Sequence, residues 1–209
     1  MCYNGGFIGL SGGGGGLSDF LMVPEDHAHI LPDNVSLEIG ALVESLAVAW
    51  YALSMAPLTK ALNILVLGVG PIGISIILCL RAQGCGTIVV SELSVARSKF
   101  ARHFGADYVL DPTKEKDYIG RVKELTGGEG QDIVFDCAGV ATALESACKC
   151  LKVRGTVVNV AIWEKAIPFQ PNELVWKEWK YATTLRSNGE DFEEVIEAIA
   201  AGECHSSSC

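Results

Sequence analysis

A glycine-rich turn, GVGPIG at residues 68–73, is the stretch of this sequence whose spacing best indicates a chemical role. It follows an apolar run and opens a helical pattern, which is the context in which a G-x-G-x-x-G turn is meaningful. Gly68 permits the tight turn, Gly70 lets the backbone approach a pyrophosphate, and Gly73 lets the helix pack against the strand. The turn therefore predicts a phosphate-binding loop for a dinucleotide.

The residues behind the second glycine predict the start of a helix. Pro71 suits the first helical position because its missing N–H would have no partner there, and Ile72 follows it in the same turn. A helix N-terminus presents unpaired N–H groups and a partial positive charge to phosphates. We therefore expect Pro71 and Ile72 to belong to the cofactor-binding site.

An acidic residue ends the next predicted strand. Glu92 comes roughly 20 residues after the glycine turn, where the dinucleotide fold places the acid that binds the ribose hydroxyls. A carboxylate in that position repels a 2′-phosphate, so the sequence predicts NAD rather than NADP. Arg97, one turn into the following helix, is a candidate for contact with the adenosine, and an exposed helix arginine is the equal alternative.

From residue 62 onward, predicted strands alternate with predicted helices. The predicted strands cover residues 63–67, 87–91, 106–111, 132–136, 156–161 and 181–186. Apolar strands separated by helices indicate a parallel sheet that is covered on both faces. The predicted fold class is therefore α/β, with a doubly wound, six-stranded Rossmann sheet whose binding crevice lies at the carboxyl ends of the strands.

The first part of the chain has a different pattern. Residues 5–16 are rich in glycine and predict a loop. Residues 17–24 alternate weakly and predict a short strand that ends at Pro24. A buried helix is predicted from the N-cap Ser36 up to the residue before Pro57, because its apolar residues are too dense for a single face.

Composition excludes several classes of function. A net charge of −9 argues against a nucleic-acid partner, because binding a phosphate backbone requires clustered Lys and Arg. No apolar run approaches the roughly 20 residues that span a membrane, and the N-terminus lacks the pattern of a signal peptide. The eight cysteines include no C-x-x-C pair and are expected to be reduced thiols in a cytoplasmic protein.

Two other enzyme classes bind their cofactor at a similar glycine-rich turn. S-adenosylmethionine-dependent methyltransferases also carry a glycine-rich turn and an acid after the second strand, and they stay open as an alternative. They usually close their sheet with an antiparallel strand, and the segments before residue 58 fit them less well. Short-chain dehydrogenases need a Tyr-x-x-x-Lys pair, and none of the five tyrosines has Lys at the fourth following position.

Several separate stretches resemble, in order and spacing, the zinc-dependent medium-chain dehydrogenases. The polyol branch, with the sorbitol, xylitol and butanediol dehydrogenases, is the most similar, and the resemblance extends from about residue 7 to residue 202. The stretches are FIGLSGGGGGLSDF (7–20), LPDNVSLEIGALVESLAVAW (31–50), VLGVGPIGI (66–74), VVSELSVAR (89–97) and FGADYVLDP (104–112).

The resemblance implies a particular domain organisation. In that family a GroES-like, β-rich catalytic domain holds zinc and a Rossmann domain binds NAD. Residues 1–58 would be a remnant of the catalytic domain with its connecting helix, residues 59–203 the NAD-binding domain, and residues 204–209 a tail. We expect the chain to be truncated at both ends relative to the family, because it contains no G-H-E motif and no four-cysteine zinc lobe.

The resemblance also assigns a role to Glu44, a single carboxylate in an apolar run. The polyol branch has a zinc-binding glutamate at the start of this helix, so Glu44 is implied to be a metal ligand. Zinc in such enzymes polarises the alcohol oxygen and holds the alkoxide during hydride transfer. This sequence departs from the family at Ser45, where a proline is usual, and at Tyr51, where histidine is frequent. None of the four histidines is a convincing ligand, and no catalytic residue is assigned.

Six further positions at strand ends are implied to line the cofactor crevice. They follow the fourth strand, end the fifth near the nicotinamide, and end the sixth at a loop that reaches the cofactor in sorbitol dehydrogenases. Simple packing of a strand end is the alternative for each. The positions are Cys137, Val160, Ala161, Ile162, Leu185 and Arg186.

The resulting hypothesis is an NAD-dependent, zinc-type polyol or diol dehydrogenase that oxidises a secondary alcohol to a ketone. Loss of most of the catalytic domain would impair it. A catalytically inactive NAD(H)-binding domain is the second hypothesis, and a methyltransferase the third. A small polyol or diol is the expected partner, with no nucleic acid and no membrane. A homo-oligomer is also expected, because the absent domain would leave an apolar face near Trp50 open.

Overall fold

The computed structural model describes residues 6–9, 11–12 and 14–204, and the chain divides into two compact units, Met1–Ile30 and Leu31–Cys209. The regular structure described in the first unit is a 3₁₀ turn at Glu25–His27. The described residues of the glycine-rich stretch form a loop, as predicted, with positive φ angles at Gly9, Gly12 and Gly14. These backbone conformations are open to glycine and costly for other residues.

The strand predicted at residues 17–24 is wrong. These residues form bends and irregular backbone, and Leu17, Phe20 and Met22 are almost fully exposed. A strand in water needs neighbouring strands and one buried face, and the described residues of this unit provide neither. Weak alternation of apolar residues was therefore not enough to specify a strand.

In the second unit, helices alternate with strands along the described chain. Helices α1 and α2 come before the first strand. The elements are α1 Leu37–Gly40, α2 Val43–Ser54, β1 Asn63–Leu67, α3 Pro71–Ala82, β2 Thr87–Ser91, α4 Val95–His103, β3 Tyr108–Leu110, α5 Tyr118–Glu124, β4 Gln131–Asp136, α6 Ala141–Cys150, β5 Leu151–Asn159, α7 Asn172–Lys177, β6 Lys180–Thr183 and α8 Gly189–Ala200.

The strands form one parallel sheet in the order β3-β2-β1-β4-β5-β6, which confirms the predicted doubly wound fold. Nearly every position of the central strands is buried, because helices cover both faces. In β1, Ile64 and Val66 pack toward α2, α3 and α8, whereas Leu65 and Leu67 pack toward α5 and α6. The strand order reverses between β1 and β4, which opens a crevice at the carboxyl ends of these two strands.

Helices α1 and α2 were predicted as one helix. The side chain of Ser36 caps the first, as predicted, by accepting a hydrogen bond from the N–H of Ile39. The helix is interrupted after Gly40, and the N–H of Leu42 bonds to the carbonyl of Ile39, three residues back, so the turn tightens. Helix α2 then packs against α3 and α8 within the second unit. The predicted domain boundary at residue 58, between a remnant of a catalytic domain and an NAD-binding domain, stays a prediction.

Strands β1 and β2 have their predicted bounds, and the other four strands differ from the prediction at one or both ends. Strand β5 begins at Leu151, five residues before its predicted start, because Leu151 pairs with Gln131 ahead of a bulge in the ladder. Strand β6 ends at Thr183, three residues before the predicted end. In the described part of the chain, every helix is too short or too polar to cross a membrane.

Candidate dinucleotide-binding site

The glycine turn leaves the carboxyl end of β1 at the crevice. Gly68 has a φ of +79° and donates its N–H to the carbonyl of Ser91, at the end of β2, over 2.9 Å. A side chain at Gly73 would overlap the carbonyl oxygen of Gly68. These two glycines are therefore required by the backbone of the turn itself, as predicted for the tight turn and for the close approach of α3.

Gly70 differs from its two neighbours in the motif. It is the N-cap of α3 with a φ of −66°, and a Cβ atom added there would meet nothing within 4 Å. Its carbonyl accepts the first helical bond, from Ile74, and Pro71 occupies the first helical position. The open space beside Gly70, next to a helix N-terminus, is a cradle that fits a pyrophosphate.

Glu92 lies at the end of β2 with only 4% of its surface exposed, and both carboxylate oxygens are engaged. Oε2 accepts the N–H of Val69, inside the glycine turn, at 3.0 Å. Oε1 accepts the N–H of Ser94 at 2.7 Å and a guanidinium N–H of Arg97 at 2.8 Å. Burial would raise the pKa of Glu92, but the hydrogen bonds from Arg97, Ser94 and Val69 outweigh it, and the pKa lies below its usual value.

The structure thus brings Glu92 and Arg97 together beside the glycine turn. A carboxylate has about four lone-pair sites, so Oε2, with one donor, retains acceptor capacity for a hydroxyl group. The Arg97 side chain is half exposed while it is bonded to Glu92, which leaves one face open to solvent. Contacts of Glu92 with ribose and of Arg97 with adenosine stay predictions.

Asp136, at the end of β4, directly precedes Cys137, and the sequence alone assigns it no role of its own. Its side chain is fully buried, and Oδ1 accepts the N–H groups of Ala138 and Gly139 at 3.0 and 3.1 Å. Oδ2 is buried without a hydrogen-bond partner among the described residues. Burial raises the pKa of Asp136, and the bonds from Gly139 and Ala138 offset only part of that effect.

The backbone around Asp136 ties three strand ends together. The N–H of Cys137 donates to the carbonyl of Leu67 at 3.0 Å, which joins the end of β4 to the end of β1. The N–H groups of Val160 and Ala161 both donate to the carbonyl of Asp136, which joins the end of β5 to that of β4. Cys137, Val160 and Ala161 therefore lie at the same edge of the sheet as the glycine turn.

The remaining predicted positions lie farther out. Ile162 and Leu185 are exposed, and Arg186 is half-buried in the segment between β6 and α8. This segment begins beside the fifth strand, because the N–H of Thr184 donates to the carbonyl of Asn159 at 3.1 Å. Contacts of these three side chains with a cofactor stay predictions.

The described residues do not fit a zinc site. Glu44 lies in the first turn of α2, where it is exposed to solvent, and its carboxylate accepts a long hydrogen bond from the hydroxyl of Ser45 at 3.5 Å. Over residues 6–9, 11–12 and 14–204, no three His, Cys, Asp or Glu side chains are grouped as metal ligands. Catalytic zinc normally has three protein ligands, and the described residues do not supply such a set.

An apolar pocket of about 330 Å³ lies elsewhere, between α6, α7, β6 and the segment that follows β5. Trp163, whose indole N–H donates to Asn159 at 2.8 Å, forms one wall, and Phe169 and Tyr181 form another. No residue of the glycine turn contributes to its lining.

Comparison with known proteins gives a consistent result. The family described as zinc-binding dehydrogenase matches residues 71–201. (R,R)-butanediol dehydrogenase of Bacillus subtilis is 42% identical over 173 residues, covering 83% of this chain and 49% of that protein. (R,R)-butanediol dehydrogenase of Saccharomyces cerevisiae is 35% identical over 212 residues, covering 100% of this chain and 55% of that protein. The chain spans about half the length of the curated relatives it matches.

A solved structure agrees with the sequence comparison. The crystal structure of 2R,3R-butanediol dehydrogenase from Bacillus subtilis superposes with a TM-score of 0.87 at 38% identity, covering 94% of this chain and 56% of that one. The resemblance inferred from the motifs is thereby confirmed. Since the family match includes α3, the five strands after β1 and all of α8, the chain belongs to the zinc-binding dehydrogenase family.

Proposed function

We propose that this chain is the cofactor-binding part of an NAD-dependent dehydrogenase that oxidises a secondary alcohol of a diol or polyol to a ketone. The names of its relatives, butanediol dehydrogenases and D-xylulose reductases, support this substrate class. Glu92 supports NAD over NADP, since a carboxylate that follows the second strand of this fold would repel a 2′-phosphate.

The observation that carries the proposal is the combination of Glu92 with the open cradle at Gly70. The carboxylate of Glu92 holds the turn through Val69, and Gly70 leaves the space above the α3 N-terminus clear. A hydroxyl acceptor next to an anion cradle is the pairing that a dinucleotide requires. Either feature alone would be a much weaker signal.

Each group has a defined part in this proposal. NAD supplies the hydride acceptor when it is bound. The N-terminal N–H groups of α3 bind its pyrophosphate, and Glu92 accepts a ribose hydroxyl. In this proposal the residues Cys137, Val160 and Ala161, which hydrogen bonds hold at the ends of β4 and β5, line the crevice on that side.

A second candidate function is an NAD(H)-binding domain that performs no chemistry. The exposure of Glu44 and the absence of a grouped ligand set among the described residues favour it. A methyltransferase is not supported, because the six described strands are all parallel and the family match is to dehydrogenases.

A small diol or polyol is the partner in this proposal, together with a possible second copy of the chain. No nucleic acid is included, because the net charge is −9. A reducing, cytoplasmic setting is also proposed, since the six described cysteines are all free thiols.

The test is a binding and turnover experiment on the purified chain. Calorimetric titrations compare NADH, NADPH and S-adenosylmethionine, and the absorbance of NADH is then followed with NAD, added zinc and butane-2,3-diol, xylitol or sorbitol. We expect NADH to bind more tightly than NADPH, and S-adenosylmethionine not to bind. NADH formation with one of the alcohols would support the dehydrogenase, and NADH binding without turnover would support the second candidate. Absence of NADH binding would overturn both.

A further inference from the structure

A short turn links the end of β4 to α6 and lies between the glycine turn and the end of β5. This β4 turn consists of residues 136–139. A Cβ atom built on Gly68 would lie 3.2 Å from the Cβ atom of Ala138, so one side of the β4 turn closely approaches the glycine turn. A Cβ atom built on Gly139 would lie 2.9 Å from that of Ala161, so the other side closely approaches the end of β5. The β4 turn is therefore a spacer between the two walls of the proposed dinucleotide site.

The conformation of the β4 turn depends on the side chain of Asp136. Its Oδ1 atom accepts the N–H of Ala138 at 3.0 Å and that of Gly139 at 3.1 Å, so one atom holds two consecutive residues of the turn. The carbonyl of Asp136 also accepts the N–H groups of Val160 and Ala161, at 2.9 and 3.0 Å. Asp136 thus holds the β4 turn with its side chain and the end of β5 with its backbone.

The glycine turn is held by different contacts. The N–H of Gly68 donates to the carbonyl of Ser91 at 2.9 Å, and the N–H of Val69 donates to Glu92 at 3.0 Å. Neither bond involves the β4 turn. Loss of the two bonds to Asp136 should therefore free the wall on the side of β5 and leave the glycine turn in place.

We propose that Asp136 is a positioning residue for the cofactor, which sets the spacing between the cradle at Gly70 and the end of β5 by holding the β4 turn. This inference rests on the proposed function, because it concerns the same NAD site. Asp136 is fully buried, so it acts through the turn and not by touching the cofactor. A dinucleotide that extends along both walls binds best when they are already at the right distance. ADP ends at the pyrophosphate, so it needs only the glycine turn and Glu92.

The two oxygens of Asp136 show which property of the side chain the turn requires. Oδ1 accepts both N–H groups, whereas Oδ2 is buried without a partner among the described residues. The turn therefore requires an acceptor at Oδ1 and no negative charge. Asparagine supplies the same acceptor, serine makes such turn bonds more weakly with its shorter side chain, and alanine makes none.

The test is a set of calorimetric titrations with NADH and with ADP. The proteins are the natural chain, Asp136→Ala, Asp136→Ser and Asp136→Asn, each at a temperature at which circular dichroism shows it folded. In Asp136→Ala we expect the dissociation constant of NADH to rise roughly tenfold, because a free turn has to be ordered again on binding. The dissociation constant of ADP should be unchanged. Asp136→Asn should bind NADH like the natural chain, and Asp136→Ser should be intermediate.

Asp132, at the other end of the same strand, offers a matched control. Its carboxylate accepts the N–H of Asn63 at 2.8 Å and pairs with Lys152, so it too holds backbone and joins β4 to β1. Asp132→Ala should lower the melting temperature but leave the affinities for NADH and ADP unchanged. A carboxylate that acts only through the stability of the sheet would behave in this way.

The outcomes separate this inference from the proposed function. If the natural chain binds neither NADH nor ADP, the proposed function fails and the role of Asp136 fails with it. If the natural chain binds NADH and Asp136→Ala binds it equally well, only the role of Asp136 fails. Equal losses of NADH and ADP affinity in Asp136→Ala would indicate general damage and would also overturn the inference. If Asp136→Ala does not fold, equal NADH affinities of Asp136→Ser and Asp136→Asn would overturn it.

Discussion

The carboxylate of Glu92 holds the backbone of the glycine turn through Val69 and the start of α4 through Ser94. Spacing along the chain predicted its position, because the length of one βαβ unit is nearly constant. Its backbone contacts could not be predicted, since they depend on how β1 and β2 are paired. The contacts of Asp136 could not be predicted either, because they depend on the shape of the turn that follows β4.

The substitution Glu92→Gln should weaken NADH binding by roughly tenfold or more, because a hydrogen bond to a charged acceptor contributes about 1.5–3 kcal/mol. NADPH should lose less affinity, because the repulsion of its 2′-phosphate is removed as well. The measurement is the ratio of the two dissociation constants by calorimetry. Glu145→Gln, which changes an exposed acid paired with Lys149 on α6, is the matched control. An unchanged ratio would exclude Glu92 from the ribose site.

The substitution Asp136→Asn should change the pH dependence of stability. Because burial raises the pKa of Asp136 in the folded state, the natural chain should lose stability relative to the variant as pH rises from the usual aspartate pKa through the raised one. At pH values above the raised pKa, the difference in the free energy of unfolding between the natural chain and the variant should be constant. Asn keeps the acceptor for Ala138 and Gly139, whereas Asp136→Ala should cost about 2 kcal/mol for the two bonds.

Urea unfolding of the natural chain and both variants at several pH values measures these differences. A difference between the natural chain and Asp136→Asn that grows in the natural chain's favour as pH rises would contradict the raised pKa.

At the scale of elements, the sequence predicted β1 and β2 at their observed ends, because their apolar residues are continuous and polar or glycine residues bound them. Prediction failed where pairing or packing decides. Leu151 is a strand residue through its pairing with Gln131, although it precedes the predicted start of that strand by five residues. The helix predicted at residues 36–56 is interrupted after Gly40, which packs closely against Leu31.

Helix α8 offers a test at this scale, because its start depends on a capping box. The side chain of Asn188 accepts the N–H of Asp191 at 3.1 Å, and Asp191 accepts the N–H of Asn188 at 2.8 Å. Asn188→Ala should lower the free energy of unfolding by about 1 kcal/mol, and Asn188→Ser, which can still cap, by a few tenths. Thermal and urea unfolding provide the measurement. Equal losses in both variants would show that the cap does not stabilise α8.

At the scale of the whole molecule, the parallel sheet gathers residues that are far apart in sequence at one edge. The bonds from Cys137 to Leu67, from Gly68 to Ser91 and from Val160 to Asp136 join the ends of β2, β1, β4 and β5. The fold class could be predicted because strands and helices alternate regularly along the chain. The glycine turn could be predicted because its residues are close together in the sequence. The solvent exposure of Glu44 could not be predicted, because it depends on which other parts of the protein pack over the N-terminal turn of α2.

The measurement that tests the account most directly is the affinity of Gly70→Ala for NADH. A Cβ atom at this position meets nothing in the protein, so the melting temperature should be unchanged. It would occupy the space of the pyrophosphate, so the dissociation constant should rise at least tenfold, which corresponds to about 1.4 kcal/mol. Gly16→Ala, where a Cβ atom is equally free of contacts, should bind NADH like the natural chain. Full affinity in Gly70→Ala would contradict a dinucleotide site at this turn.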